Sequence, residues 1–463
     1  VSNEKVFEVE THSTKRKTRC EPSDSRSIER RVRQQLADGV CGNHLGLWLL
    51  APEHLRLGTW DLLCGWTGQP SQNVEPRLAM QLLHEAALCV TGIRQSRCLR
   101  HRGFELANGL PFVATDRTIH DLLDAHSIAE AEAAQVALGR IRHACGHYRG
   151  KVLAIDPHRL LSHSKRRMRV RQSNKNSKAA KTTQTFFCLD ADTSEPLCLT
   201  IGTSAPTVSQ VTGHLLDLAE RILPKQDRRP LVLADCEHFT VELVENIYRD
   251  SAFDLAVPMP GQPYIQKLLK AIPPEQFTRR WAGMATAKVP YAFGSSDAGP
   301  FHLFAQRSRE TPQEHGYKGF LCTDDRDEVE TLSVDFPKRW HIEEFFNANQ
   351  DLGWRRAGTQ NMHIRYGQMT MALLAQASIC QLRRRLADPV DQWNAKHLAK
   401  EIFCGLDGGL RVHGDTVVIT YYNAPNAAML REHFEGLPKR LEAEGIPPGI
   451  PWLYNLKLDF RFK

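Results

Sequence analysis

Hydrophobic positions recur three and four residues apart over residues 45–50, 54–66, 75–91, 117–126 and 128–147, with Gly, Pro or Asn between the runs. That spacing predicts helices, so residues 31–149 are expected to form an all-α N-terminal domain. Within it, Thr115 precedes a run that could cap and start a DNA-reading helix, although the same pattern serves plain bundle packing. Residues 1–30 carry Lys, Arg, Ser and Glu with few large apolar groups, the composition of a mobile basic arm. At Lys151 the period changes. Residues 151–156 form a short apolar run ending in Asp156, residues 183–189 and 197–201 read as two further strands, and residues 207–223 as a helix. Residues 230–235 repeat the first pattern and end in Asp235, followed by a helix over 240–248 and a strand over 253–257. The order β-β-β-α-β-α-β predicts an α/β core with a mixed sheet and helices on its faces.

Residues 261–333 interrupt that order with Pro, Gly and short alternating runs, which predict a β-rich insertion. The core is expected to resume over 334–387, so that 150–260 and 334–387 form one unit. A helix opening at Pro337 comes first, since a missing N–H costs nothing there, and a long amphipathic helix follows over 366–386. Residues 388–463 contain a hairpin over 410–421 with His413-Gly414-Asp415 at its turn, then a helix over 427–434.

At about 100° per residue, Phe336, Arg339, Glu343 and Gln350 fall within roughly 60° of one another on the first of these helices. Glu344 projects roughly 100° away from Glu343, which makes Glu343 the better candidate for a site. Seen alone, Arg339 and Glu343 are an ordinary i,i+4 surface pair. Two strands ending in Asp156 and Asp235 upstream change that reading. Three carboxylates on adjacent elements are the hard oxygen donors that Mg²⁺ takes, and two such ions stabilise both oxygens of an in-line phosphoryl displacement.

Composition narrows the class. An apolar fraction of 41% in 463 residues is that of a folded protein with a substantial core. The 12 cysteines show no CxxC pair and no Cys/His cluster at zinc spacing, as expected of reduced core thiols. No apolar run is long enough to span a bilayer and the first thirty residues show no signal-peptide pattern, so no membrane partner is expected. The net charge of +7 is modest, but residues 157–181 hold nine Lys or Arg and no acid. That segment lies on the approach to Asp156, and its interleaved Ser, Asn and Gln suit a phosphate track.

Ile155-Asp156, Leu233-Ala234-Asp235 and Phe336-x2-Arg339-x3-Glu343-x6-Gln350 resemble the DDE transposases of bacterial insertion sequences, in the branch marked by Tyr-x2-Arg-x3-Glu-x6-Lys. The resemblance covers roughly residues 151–385, including the insertion between the second Asp and the Glu. It implies an RNase H-like core, two Mg²⁺ ions (with Mn²⁺ able to substitute) held by Asp156, Asp235 and Glu343, and Arg339 on DNA phosphate. It further implies cut-and-paste action on double-stranded DNA, at terminal inverted repeats and in target DNA. A homodimer on DNA, with residues 31–149 a candidate for binding DNA ends and residues 388–463 a candidate for the dimer contact, and a bacterial source follow from the same resemblance, while the scattered cysteines and the absence of a signal-peptide pattern lead to the expectation of a cytoplasmic location.

Two positions depart from the pattern. Phe336 lacks the hydroxyl of the usual Tyr, and Gln350 lacks the charge of the usual Lys. Lys338, Arg355 or Arg356 are expected to replace that cation, while Lys165, Arg166, Arg167, Arg169 and Arg171 supply the strand-positioning track. Two alternatives stay open: a DNA-binding protein that does not cut, and a structure-specific nuclease that never joins strands.

Overall fold

The computed structural model describes residues 24–90, 99, 101–162, 167, 170–171, 178–203, 208–294, 296–353, 361–386 and 388–463. Its first part is helical: α1 (Ser25–Ala37), a short strand β1 (Val40–Gly42), a 3-10 turn over Leu45–Leu50, then α2 (Ala51–Arg56), α3 (Thr59–Thr67), α4 (Glu75–Ala87), α5 (Arg102–Ala107), α6 (Asp116–Asp124) and α7 (Ile128–Ala144). The core follows as β2 (Val152–Leu161), β3 (Val170–Arg171), β4 (Ala180–Asp190), β5 (Glu195–Thr203), α8 (Val208–Ile222), β6 (Leu231–Leu233), α9 (Val241–Asp250) and β7 (Asp254–Pro258). Next come α10 (Pro263–Lys270), β8 (Thr278–Trp281), β9 (Met284–Tyr291), β10 (Phe301–Ser308), β11 (Gly316–Cys322), α11 (Glu328–Glu330), α12 (His341–Asn349) and α13 (Met362–Arg385). The last part holds α14 (Ala395–Leu398), β12 (Gly408–His413), β13 (Thr416–Tyr421), α15 (Ala427–Phe434), α16 (Leu437–Ala443), β14 (Gly449–Ile450) and β15 (Leu456–Phe462).

Among the described residues the strands form two sheets, of ten and of five. In the larger, β5, β4 and β2 are antiparallel neighbours, and β6 and β7 continue from β2 in parallel. The expected insertion does not stand apart. β11 pairs antiparallel with β7, and β10, β9 and β8 follow outward, so the insertion lengthens the same sheet.

β2 outlasts the expected strand: it runs to Leu161, because β4 accompanies it that far whereas β6 stops opposite Ala154. Pro157 fits this geometry. Leu231 N donates to Lys151 O and Ala191 N donates to Val152 O, so odd-numbered residues of β2 face β6 and even ones face β4. The missing N–H of Pro157 therefore falls beyond the end of β6, where no ladder bond is lost.

The five-stranded sheet joins the two ends of the chain, since β1 pairs with β12 at Val40↔Leu410 and β12, β13, β15 and β14 follow. One hydrophobic core correspondingly runs from Ile28 through α4 and α13 to Phe462, and it includes residues on one face of the larger sheet, such as Phe187 and Leu231. The expected divisions at 149 and 388 are not divisions of that core. Trp452 locks it: Nε1 donates to Ala107 O at 3.0 Å, and its own carbonyl accepts from Arg77 Nε at 3.2 Å. Gly109 makes this approach feasible, with φ at +68° and a Cβ position that would sit 2.1 Å from Trp452 O. Ile28, Val32 and Leu36 bury one face of α1, so residues 25–30 are helical rather than part of an arm, and residues 1–23 lie outside the described ones.

Candidate active site at the end of the parallel strands

The last register pair between β2 and β6 is Ala154↔Leu233; Asp156 lies two residues further along β2, and Asp235 lies two residues past the end of β6, where it caps a 3-10 turn over Cys236–His238. The negative charge of Asp235 acts directly on Asp156, so the two carboxylates are neighbours where the β2–β6 pairing ends. Asp235 is held firmly. Its Oδ1 accepts from Glu237 N at 3.0 Å and lies 2.7 Å from Nδ1 of the buried His238. Burial works to raise its pKa, but the hydrogen bond and charge of His238, the Glu237 N–H and Arg339 outweigh it, leaving the group below the ordinary aspartate range. Asp156 behaves in the opposite way. Burial first, then the charge of Asp235, push its carboxyl up to about 7; Arg339 and Arg159 pull the other way, and Glu343 adds a weaker push. The two neighbours are thus separated in acidity by their surroundings.

Glu343 and Arg339 arrive on a helical segment that changes pitch. Asp327 caps it by accepting from Glu330 N at 2.7 Å, and the chain winds through a π turn over Thr331–Asp335 and a 3-10 turn over Phe336–Trp340 into α12. Pro337 therefore lies inside the helical segment and does not open it. Its missing N–H removes one i→i−4 bond, and the π and 3-10 turns on either side accommodate the loss. His341 Nδ1, 2.6 Å from Ala191 O, ties the start of α12 to the end of β4, and Phe345 and Phe346 pack on Phe187, the register partner of Asp156. Arg339 Nη2 donates to Glu343 Oε1 at 3.2 Å. The Glu343 side chain is 39% exposed and that of Arg339 14% exposed, while Glu344 faces solvent.

The remaining expected residues divide. Phe336 packs edge-on against Phe320 of β11, 4.9 Å between centroids, as an apolar support for the segment. Gln350 lies in a 3-10 turn past α12 and donates to Asn347 O at 3.5 Å. Lys338 is bound by Asp192 at 2.8 Å and Asp335 at 3.0 Å, and it lines a cleft at the opposite edge of the sheet, where β2 begins. Arg167 is exposed. Lys165, Arg166, Arg169, Arg355 and Arg356 lie outside the described residues, and so does the side chain of Arg171.

Two site features were not legible beforehand. Arg159 Nη1 and Nη2 grip the two oxygens of Glu237 at 2.9 and 2.5 Å, and Arg159 Nε donates to Gln184 at 3.0 Å. Arg159 and Glu237 are 78 positions apart, beyond any local spacing rule. The support of Asp235 by His238 does have a sequence signal, an acid and a histidine three residues apart at the start of a turn.

Asp156, raised by burial and then by the charge of Asp235, and the ionised Asp235 offer hard carboxylate oxygens, the donor type that divalent cations take. Glu343 is near enough to raise Asp156, yet among the described residues no three His, Cys, Asp or Glu side chains lie close enough together to hold an ion. The two aspartates are of the donor type that Mg²⁺ takes, while Glu343 is paired with Arg339.

The fold and the site together define a mixed α/β protein with paired acids at the end of adjacent parallel strands. No protein-family model matches the chain, and no curated protein matches it. Among solved structures it is similar to the cryo-EM structure of the piggyBac transposase synaptic complex with hairpin DNA, with a TM-score of 0.40 and 12% identity over 77% of this chain and 79% of that one.

Proposed function

We propose that the chain is a DNA transposase of the DDE type on an RNase H-like core, with Asp156, Asp235 and Glu343 as the residues that would hold two Mg²⁺ ions. The observation that carries the reading is the Asp156–Asp235 pair, placed where the parallel pairing of β2 and β6 ends, with the Asp156 carboxyl raised to about 7 by burial and its neighbour's charge. The strand order β5-β4-β2-β6-β7, three antiparallel strands followed by two parallel ones, supports the RNase H-like assignment. When bound, the ions supply charge stabilisation to the attacking and leaving oxygens of phosphoryl transfer. The chain's own groups do the rest. Asp235 stays ionised and is aimed by His238; Asp156 can hold a proton near neutrality; Arg339 moves from Glu343 to the phosphate beside the cleaved bond and so frees the third acid. The substrates are terminal inverted repeats and target DNA, acted on by a homodimer in the bacterial cytoplasm. The N-terminal helices serve end binding and the C-terminal region serves pairing of the two ends.

A second reading, a DNA-binding protein that does not cut, is favoured by the Arg339–Glu343 pair, which neutralises the third acid. One assay separates the two. The protein is incubated with labelled terminal-repeat DNA, a target plasmid and Mg²⁺ or Mn²⁺. Joined product that Asp235→Ala abolishes is the expected result. Nicks without joined product indicate a nuclease, and binding without nicks supports the second reading.

A further inference from the structure

At the edge of the main sheet opposite the paired acids, where β2 and β6 begin, lies a cleft of about 730 Å³ lined by seven cationic side chains and four carboxylates. Three of the cations are already held by acids. Lys338 lies between Asp192 and Asp335, Arg228 is 2.9 Å from Asp324, and Arg326 is 2.8 Å from Asp254. Among the described residues the other four, Arg149, Lys151, Lys225 and Arg229, make no ion pair, and of the carboxylates only Asp227 and Glu330 are likewise uncompensated. Arg229 Nη1 donates to Tyr248 O at 3.3 Å, which leaves Arg149, Lys151 and Lys225 as the free cations, from two separate stretches that both line the cleft. Positive charge on a concave wall concentrates the field that a row of phosphates seeks, and cations reaching in from two stretches suit a strand lying along the cleft.

We infer that this cleft binds the sugar-phosphate backbone of a second DNA segment, one that does not occupy the acid site. The choice of DNA as the polymer rests on the function proposed above; the cation arrangement does not depend on it.

The test uses the full chain, a 30-base-pair duplex of arbitrary sequence and fluorescence anisotropy over a KCl series. Arg149→Ala, Lys151→Ala and Lys225→Ala together are expected to flatten log Kd against log[KCl] by about 2 to 3 and to weaken binding tens-fold at physiological salt, at roughly 0.9 of slope per lost phosphate contact. A control triple around the five-stranded sheet, Arg411→Ala on β12, Lys439→Ala on α16 and Arg461→Ala on β15, removes the same charge and should leave the slope unchanged. The opposite change, Asp227→Asn with Glu330→Gln, should tighten duplex binding several-fold, a gain that no folding defect can imitate. An unchanged slope in the cleft triple, an equal loss in the control, or no gain from the acid-removing pair overturns the inference. ATP that displaces the duplex at micromolar concentration also overturns it, in favour of a small-ligand pocket. Metal-dependent nicking is read separately: its absence from the wild-type protein counts against the proposed function while leaving the cleft result standing, and the reverse outcome is equally readable.

Discussion

Replacing Asp156 by Asn should stabilise the metal-free protein, and the gain should grow with pH. The carboxyl is raised from the ordinary aspartate value of 3.8 to about 7 by burial and by Asp235. A raised folded value means that the native state holds the proton more tightly than the unfolded chain. Its contribution is therefore fully present below pH 3.8 and is lost as pH rises through 7. At about 1.4 kcal/mol per unit, the wild-type protein forfeits under about 1 kcal/mol at pH 4 and about 4 kcal/mol at pH 8. Asparagine has the same shape and no proton to lose, so the stability gap between Asp156→Asn and wild type should widen by about 3 kcal/mol over that interval. Urea denaturation of both proteins at half-unit pH steps, with a chelator present, measures it. A gap that is constant with pH, or a variant less stable than wild type at pH 8, would refute the assignment of Asp156 as a strained acid beside Asp235.

Millimolar Mg²⁺ at pH 8 should raise the melting temperature of the wild-type protein and leave Asp156→Asn with Asp235→Asn unmoved, as differential scanning fluorimetry would show. Arg339→Ala removes a partly exposed ion pair and should cost no more than about 1 kcal/mol of stability, so a large loss of DNA processing in that variant would be functional in origin. In the buried chain Ser378–His54–His84–Asn108 both rings stand neutral, and burial pushes His84 down to about 4. A depressed histidine contributes stability that is present above pH 6.5 and lost toward pH 4, so His84→Gln should flatten the acid limb of stability against pH by about one proton. Gly109→Ala places a Cβ against the Trp452 carbonyl at positive φ and should cost roughly 3 kcal/mol in urea denaturation.

Much of the core was legible because its signals are local. Apolar runs of strand length and helices with 3–4 spacing reproduce β6, α8, α9 and α13 to within a few residues, and they place the start of β2 but not its end at Leu161. The partners were not legible, since they are set by tertiary register. Nothing in residues 261–333 says that β11 extends the sheet from β7, and nothing in Val40–Gly42 says that its neighbour is β12. The α1 helix was hidden by its charge, which masked the four-residue spacing of Ile28, Val32 and Leu36. At the site, Arg339 and Glu343 do form their ion pair, but the helical phase that placed Phe336 and Gln350 beside them assumed one pitch throughout. The π and 3-10 turns around Pro337 break that phase, and Lys338 points to the opposite edge.

The pairing of β1 with β12 also bears on how the protein is made. Val40 leaves the ribosome about 370 residues before Leu410, an interval of roughly 20 to 75 seconds at synthesis rates of about 5 to 20 residues per second. During that time the early helices lack their edge strand, the Trp452 lock and much of the core they will share. A chain released early would leave both of these regions incomplete, so premature termination or a frameshift late in the message should yield material fit for proteolysis rather than a partly folded product.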